Sequence, residues 1–421
     1  MDPRKFLNSL FEIAVAKAQP SQCVPPFLSK LDFTGRTVVF GAGKASAAMA
    51  QAVEQHTSAA LEGLVITRYG HAVECQQIEI VEAGHPVPDQ QGMRAAASML
   101  ETASGLTEKD SVLCLISGGG SSLLSLPAPG LSLEDKQGVT SKLLKCGATI
   151  HEINCIRKHL SAIKGGRLAV ACSPAPLLTL AISDVPGDDL SVIASGPTVA
   201  DPSTFEDALK ILTKYDISEP KSVLKHLANE ADETPKPGDP RLQNVENHLI
   251  ATPQQSLQAA AQAVSEAGMK PLILGDSLEG ESRDAGKIHA ETALQIQKNC
   301  KPVSPPAVIL SGGETSVTVQ GSGRGGPNTE FMLALLQELR GQDGIWAIAC
   351  DTDGIDGTED NAGAFISPKS LKKSKELGLD PSGFLSNNDS YSFFYELGDL
   401  VSPGPTMTNV NDFRAILVLP A

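Results

Sequence analysis

Apolar residues fall along this chain in two rhythms. Near the start, Phe6, Leu7, Leu10, Phe11 and Ala14 recur at the spacing of one helical face, behind Asp2 and Pro3 as N-cap and first-turn residue. From there, short continuous apolar runs alternate with longer mixed stretches. Residues 37–40, 64–67, 78–81, 112–116 and 177–182 read as strands in the first half. Residues 248–251, 272–274, 307–311, 315–319, 345–350 and 415–419 do so in the second. Helices are predicted over 47–55, over 133–146 behind Ser132, and over 281–298. Another opens at Thr252, where Gln255 completes a capping box and Pro253 takes the first helical position. Asn387-Asn388-Asp389-Ser390 is expected to cap a helix carrying Phe393, Phe394 and Tyr395. The alternation is that of an α/β protein. Residues 229–241, polar and rich in proline, glycine and charge, read as a linker or domain-edge loop. The expected domains are therefore 1–238 and 239–421.

Composition narrows the class. The 421 residues are enough for two domains, each with its own core. A net charge of −15 argues against duplex nucleic acid or an anionic membrane as partner, because both reward clustered Lys and Arg. It also requires any anionic substrate to be met by a local basic cluster. The eight cysteines form no CxxC pair, so neither a disulfide framework nor a zinc site is indicated. Charges interrupt the N-terminus throughout, unlike a signal peptide, and no apolar run reaches the ~20 residues of a membrane span. The expected location is cytoplasmic.

The candidate chemistry centres on VLCLISGGGSS, 112–122. After an apolar strand, Ser117, Gly118, Gly119, Gly120, Ser121 and Ser122 can turn sharply and aim successive amides at one oxyanion, with two hydroxyls beside them. A phosphate is the natural guest; a tight strand-to-helix turn without a ligand is the alternative. The turn Gly41-Ala42-Gly43-Lys44-Ala45-Ser46 resembles a dinucleotide fingerprint with its third glycine replaced, and alone is weak. Lys44 at its mouth is either a solvated lysine or one that reaches a transferring phosphoryl group. His85, in a stiff loop before a helix capped by Asp89, is a ligand-facing residue or a hydrogen-bonded loop histidine. Arg157, Lys158, Lys164 and Arg167 locally reverse the acidity, and on a helix Arg157, Ser161 and Lys164 share a face that could grip a carboxylate or phosphate. Past the strand 177–182, Asp184 and Asp189, and less so Asp188, are candidate Mg²⁺ ligands. Arg324 stands among four glycines, as a hairpin tip or a phosphate-gripping arginine. The loop opening with Asp351 and Asp353 looks like a calcium loop, but Ala362 at its twelfth position argues against calcium. Asn409, Asn411 and Asp412 are functional only if they line a cleft. Amides, lysine, carboxylates and arginine together are the inventory of phosphoryl transfer.

With these residues assembled, the chain resembles the class II glycerate kinases, the MOFRL-type family that forms 2-phosphoglycerate. The motifs are GAGKAS (41–46), GHPVPD (84–89), SGGGSS (117–122), NCIRKHLSAIKGGRLA (154–169), SDVPGDD with IASGPT (183–198), SGGE (311–314), GRGG (323–326), DTDGIDG (351–357) and TNVND (408–412). They cover the chain almost end to end. The resemblance implies a Rossmann-like N-terminal domain and a smaller α/β C-terminal domain, with ATP, Mg²⁺ and D-glycerate meeting in the cleft between them. It puts the family's key lysine at Lys44 and its key arginine at Arg324. On this reading Ser117 to Ser122, with Gly43 and Gly196, bind the nucleotide, and Asp184 and Asp189 hold the metal. Arg157, Lys158, Lys164, Asp351, Asp353 and Asn409 meet the substrate. Asp189, Asp351 and Asp353 compete as general base, with Asp189 the catalytic choice. Pro327 and Thr329 stand where the family usually has arginine and glutamine, and Met407 where it has glycine, which bears on substrate preference. Because members have also carried the name hydroxypyruvate reductase, an NAD(P)H-dependent reductase using the 41–46 turn is the alternative. A non-catalytic nucleotide or sugar-acid sensor is the third reading, and a homodimer is left open.

Overall fold

The computed structural model describes residues 1–31, 35–230 and 232–420. The chain forms two compact units, one of residues 20–250 and one of residues 1–19 together with 251–421. Among the described residues no helix is long and apolar enough to cross a membrane.

The unit of residues 20–250 is built on β1 (Thr37–Ala42), β2 (Leu61–Arg68), β3 (Glu79–Ala83), β4 (Ser111–Ile116), β5 (Leu177–Ile182) and β6 (Val245–Ala251). They form one sheet in the order β3-β2-β1-β4-β5-β6, a Rossmann-like order. The pairs from β3 through to β5 are parallel. Every residue of β1, β4 and β5 is buried, which is why these segments read as unbroken apolar runs. The chain steps outward from β1 to β3 and returns to the other side of β1 as β4. An open α/β sheet leaves its ligand crevice at such a reversal, outside the carboxyl ends of the strands. Ala42 pairs with Ile116 in register, so the turns leaving β1 and β4 start side by side.

The other unit holds β7 (Lys270–Leu278), β8 (Ala307–Gly313), β9 (Ile345–Asp351), β10 (Gly363–Ile366), β11 (Leu400–Val401) and β12 (Asp412–Val418), in the order β11-β10-β9-β12-β8-β7. This sheet is mixed. β7 runs parallel to β8, whereas the last strand, β12, is antiparallel to both β8 and β9. Asp412 therefore lies opposite both Gly313 and Asp351.

Four expectations are corrected. The first helix, Pro3–Lys17, belongs with residues 251–421 and not with an N-terminal domain. Its stripe Leu7, Leu10, Phe11 and Ala14 packs into a core with Leu257, Ala260, Val264 and Phe413. The division falls at 250/251, not at 238/239, because 248–251 closes the first sheet as part of β6 and does not open the second series. Residues 229–241, of which Ala231 lies outside the described residues, are not a free linker. Glu233 accepts from the amides of Phe205 and Thr234 (3.0 and 2.9 Å), and buried Thr234 donates to Asp201 (3.1 Å). Residues 315–319 form no strand; Ser316 makes only an isolated bridge to Glu281.

β12 carries a charge into the second core. Arg414 is fully buried, pairs with Asp412, donates to Thr315 Oγ1 (2.9 Å) and Gly312 O (3.3 Å), and lies 5.0 Å from the Phe331 ring centroid. Removing only the cation strands Asp412 in a dry site. Arg414→Leu is expected to cost about 3 kcal/mol in chemical denaturation, and Arg414→Leu with Asp412→Asn to recover most of it.

Candidate active site

The turn after β1 and the turn after β4 are sewn together. The Lys44 amide donates to Gly118 O (2.8 Å) and the Ala45 amide to Ser117 Oγ (3.0 Å), while Ser46 Oγ lies 3.2 Å from Ser117 Oγ. Ser117 is thus a buried clasp, and a ligand does not see its hydroxyl. Gly43 likewise serves the turn, its amide donating to Ile66 O (3.1 Å). Gly118 and Gly119 are different. A side chain on Gly118 would run into the Asp184 carboxylate. Gly119 has φ +80°, and a Cβ there would lie 2.9 Å from the His85 imidazole and 3.3 Å from Lys44 Cγ. Three loops, bearing Lys44, His85 and Asp184, therefore converge on two bare glycines. The amides of Gly118, Gly119 and Ser121 have no acceptor among the described residues. Open amides at the end of a parallel strand are a cradle for an anion.

The acidic loop after β5 splits in two. Asp184 is half-buried against Gly118, whereas Asp189 is exposed and accepts from the Ser191 amide (2.8 Å). One carboxylate beside an anion cradle, with phosphate oxygens and water, is the donor set Mg²⁺ prefers. The group that fits is Asp184; the structure brings Asp189 to the start of the next turn. That turn is strained, since Ala194 and Ser195 hold φ of 52° and 60°, a conformation costing roughly 1 kcal/mol or more each. The strain holds Ser195 Oγ between Ser121 Oγ (2.9 Å) and Asn154 Oδ1 (3.0 Å). Gly196 is part of this frame: its amide donates to Ile193 O (2.9 Å) and its carbonyl accepts from Gly166 (2.7 Å).

The basic motif does not lie on one helix. The helix Ile150–His159 ends before Ser161 and Lys164, yet Arg157 and Lys164 still meet, in a cavity of about 440 Å³ that Ser121 and Ser122 also line. Lys158 turns the other way and pairs with Asp201 at 3.4 Å, both buried. The third cation in the cavity is Lys136, which composition and spacing did not single out. It sits on the buried stripe Leu133, Lys136, Val139 and Leu143 of the helix Leu133–Lys145. A lysine at an apolar position of that stripe was the available signal. Burial, with Arg157 beside it, pushes the Lys136 ammonium down to about 7. Burial, then Lys136 and Arg157, pushes Lys164 well down, and burial lowers Arg157. Unfolded, Lys136 titrates near 10.5, so between about 7 and 10.5 the unfolded chain holds the extra proton and stability rises with pH. Lys136→Met is expected to flatten that rise and lift the melting midpoint by about 2–4 °C at pH 7, measured in buffer free of phosphate and carboxylate.

In the unit of residues 251–421, the glycine-rich segment 320–326 is no hairpin tip. Asn388 Oδ1 accepts from the Gln320 and Gly321 amides (2.8 and 2.9 Å), and Asp389 Oδ1 from the Arg324 amide (3.0 Å). Asn387–Asp389 thus dock this segment and make no side-chain cap for the helix Ser390–Leu397. Arg324 is more than half exposed, stacks 4.4 Å from the Tyr391 ring centroid and pairs with Glu359. Asp351 and Asp353 bind their own loop, Asp351 Oδ1 accepting from the Asp353 amide and Asp353 Oδ1 from that of Ile355 (both 2.9 Å). Asn409 Oδ1 likewise accepts from the Asn411 amide (3.1 Å). Asp356, also unsingled from its motif, caps the helix Pro327–Leu339. It accepts from the Asn328 and Thr329 amides (2.8 and 2.9 Å), and burial pushes it up to about 6. Pro327 therefore fills a first helical position, and Thr329 gives its hydroxyl to Asp356 (2.8 Å). Met407 holds φ +62°, the backbone state glycine takes most easily.

Comparison with known proteins accords with this architecture. Residues 6–228 match DUF4147, a domain of unknown function, and residues 307–412 match the MOFRL family. A D-glycerate 2-kinase of Thermotoga maritima is 42% identical, the alignment covering 99% of this chain and 100% of that protein. A protein of Agrobacterium vitis named as a hydroxypyruvate reductase is 53% identical, over 99% of this chain and 94% of its own length. The crystal structure of a glycerate kinase from Thermotoga maritima matches with a TM-score of 0.91 at 41% identity, over 99% of both chains. With both domain models in order and full-length relatives of this kind, the chain belongs to the class II, MOFRL-type glycerate kinase family.

Proposed function

We propose that this protein is a cytoplasmic kinase that uses ATP and Mg²⁺ to phosphorylate the 2-hydroxyl of D-glycerate, giving 2-phosphoglycerate. The observation that carries the reading is the convergence of Lys44, His85 and Asp184 on the open amides of Gly118 and Gly119. Phosphoryl transfer asks mainly for positioning and for charge stabilisation, and this cluster offers donors, a cation and a carboxylate within one turn of each other. The amides of Gly118, Gly119 and Ser121, with the hydroxyls of Ser121 and Ser122, hold the nucleotide's terminal phosphates, and Lys44 answers the charge on the transferring group. Mg²⁺, held by Asp184, would neutralise phosphate charge there. Arg157 and Lys164 take the carboxylate of the acceptor. Arg324 brings a second cation to the transferring group, and Asp189 receives the proton of the attacking hydroxyl. Asp351, Asp353 and Asn409 act on the substrate through the loops they hold in shape.

The reductase name carried by the Agrobacterium vitis relative, and the Rossmann-like strand order, favour a second reading, hydride transfer from NAD(P)H. Against it, the amides that a pyrophosphate would need on the 43–46 turn are already engaged. Gly43 donates to Ile66 O, Lys44 to Gly118 O, Ala45 to Ser117 Oγ and Ser46 to Gly43 O.

A coupled ADP-release assay with D-glycerate, L-glycerate and tartrate, the product read by phosphorus NMR, decides between them. Release with D-glycerate and phosphate on C2 is expected. NADH oxidation with hydroxypyruvate, and no ADP with any of the three acids, would overturn the kinase reading. Lys44→Ala and Arg324→Ala should each lose about a hundredfold or more in kcat with an unchanged melting midpoint. Near-wild-type turnover in either variant removes that residue from the mechanism.

A further inference from the structure

The cavity beside the glycine loop gathers more basic side chains than the single carboxylate of a hydroxy acid can answer. Lys136, Arg157 and Lys164 all line it, and no carboxylate does. Lys164 is 1% exposed and Lys136 7%, yet their ammonium groups reach only backbone carbonyls, of Ala194 and Leu126, each at 3.4 Å. No ion pair joins any of the three to an acid among the described residues. Two acids of the same unit are paired with other cations, Glu152 with Lys214 and Asp201 with Lys158. Burial first, and the neighbouring like charges second, hold the Lys136 and Lys164 ammonium groups below their usual range. A ligand's negative charge at this cluster would answer the cations and return the protons that burial removes. Ser121, Ser122 and Ser125 add hydroxyls on the loop side. At about 440 Å³ the cavity has room for more than a three-carbon acid.

We propose that this cavity is matched to a small organic acid bearing both a carboxylate and a phosphate, so that it binds the phosphorylated product more tightly than the singly charged acceptor. The inference rests on the kinase reading and adds to it a consequence: the product competes with the acceptor. A phosphate monoester carries about −1.5 to −2 at pH 7, so the product with its carboxylate balances three cations where the acceptor balances one. Arg157 and Lys164 then hold the carboxylate, while Lys136 and the serines receive the phosphate.

Calorimetric titration of the nucleotide-free protein tests this with three probes: D-glycerate, 2-phosphoglycerate and inorganic phosphate. The phosphorylated acid should bind at least about tenfold more tightly than either of the others, the scale of one charge-assisted hydrogen bond. Lys136→Gln should weaken 2-phosphoglycerate about tenfold and D-glycerate less than about threefold. Equal affinity for the two acids overturns the proposal, as does inorganic phosphate binding as tightly as 2-phosphoglycerate, or Lys136→Gln leaving 2-phosphoglycerate unaffected. The wild-type comparison stands even if that variant does not fold. ADP release separates the two readings: turnover of D-glycerate without charge preference sinks the cavity assignment alone, and charge preference without turnover sinks the kinase alone.

Discussion

Ser117 closes the buried joint from which the proposed chemistry follows. Its backbone amide donates to Ala42 O, and its hydroxyl takes the Ala45 amide beside Ser46 Oγ. These bonds lock the turn after β1 to the turn after β4 in a place where neither side chain nor water can intrude, since Ser117 has no exposed surface. Two parallel strands ending at the same level would otherwise leave two independent loops. Joined, they form one rigid rim on which Lys44 is presented to Gly119 from one side while Asp184 closes on Gly118 from the other. Positioning to within a fraction of an ångström is what phosphoryl transfer demands of a protein, and packed strand ends supply it better than mobile loops.

The second unit solves a similar problem by other means. Its glycine-rich segment has almost no side chains to pack, so it is held through its backbone amides by Asn387, Asn388 and Asp389. Arg324 is then stacked on Tyr391 and paired with Glu359, a cation fixed in direction yet open to solvent. Asp356 performs a parallel service one loop away, fastening the start of the helix Pro327–Leu339. Pro327 and Thr329 are occupied in that same fastening.

Much of this was legible in the sequence, and the limits have physical causes. Buried parallel strands are continuous apolar runs, so β1, β4 and β5 declared themselves, as did the glycine loop that β4 feeds. The helix Pro3–Lys17 declared its apolar stripe but not its partner, because a stripe specifies burial and not what buries it. The edge strand β6 is only partly buried and alternates poorly, so its last residues looked like the start of something new. Lys136 is hard to read from sequence because lysine is usually a surface residue even when its stem is buried. Asn387 to Asp389 were legible as polar loop chemistry, but an Asx side chain that caps a helix and one that docks a neighbouring segment look alike in sequence.

The most direct measurement is a crystal structure of the protein with ADP and 2-phosphoglycerate bound. A phosphate hydrogen-bonded to the amides of Gly118 and Gly119, with Lys44 Nζ turned toward it, is the expected result. Phosphates held elsewhere, with those two amides facing water, would contradict it.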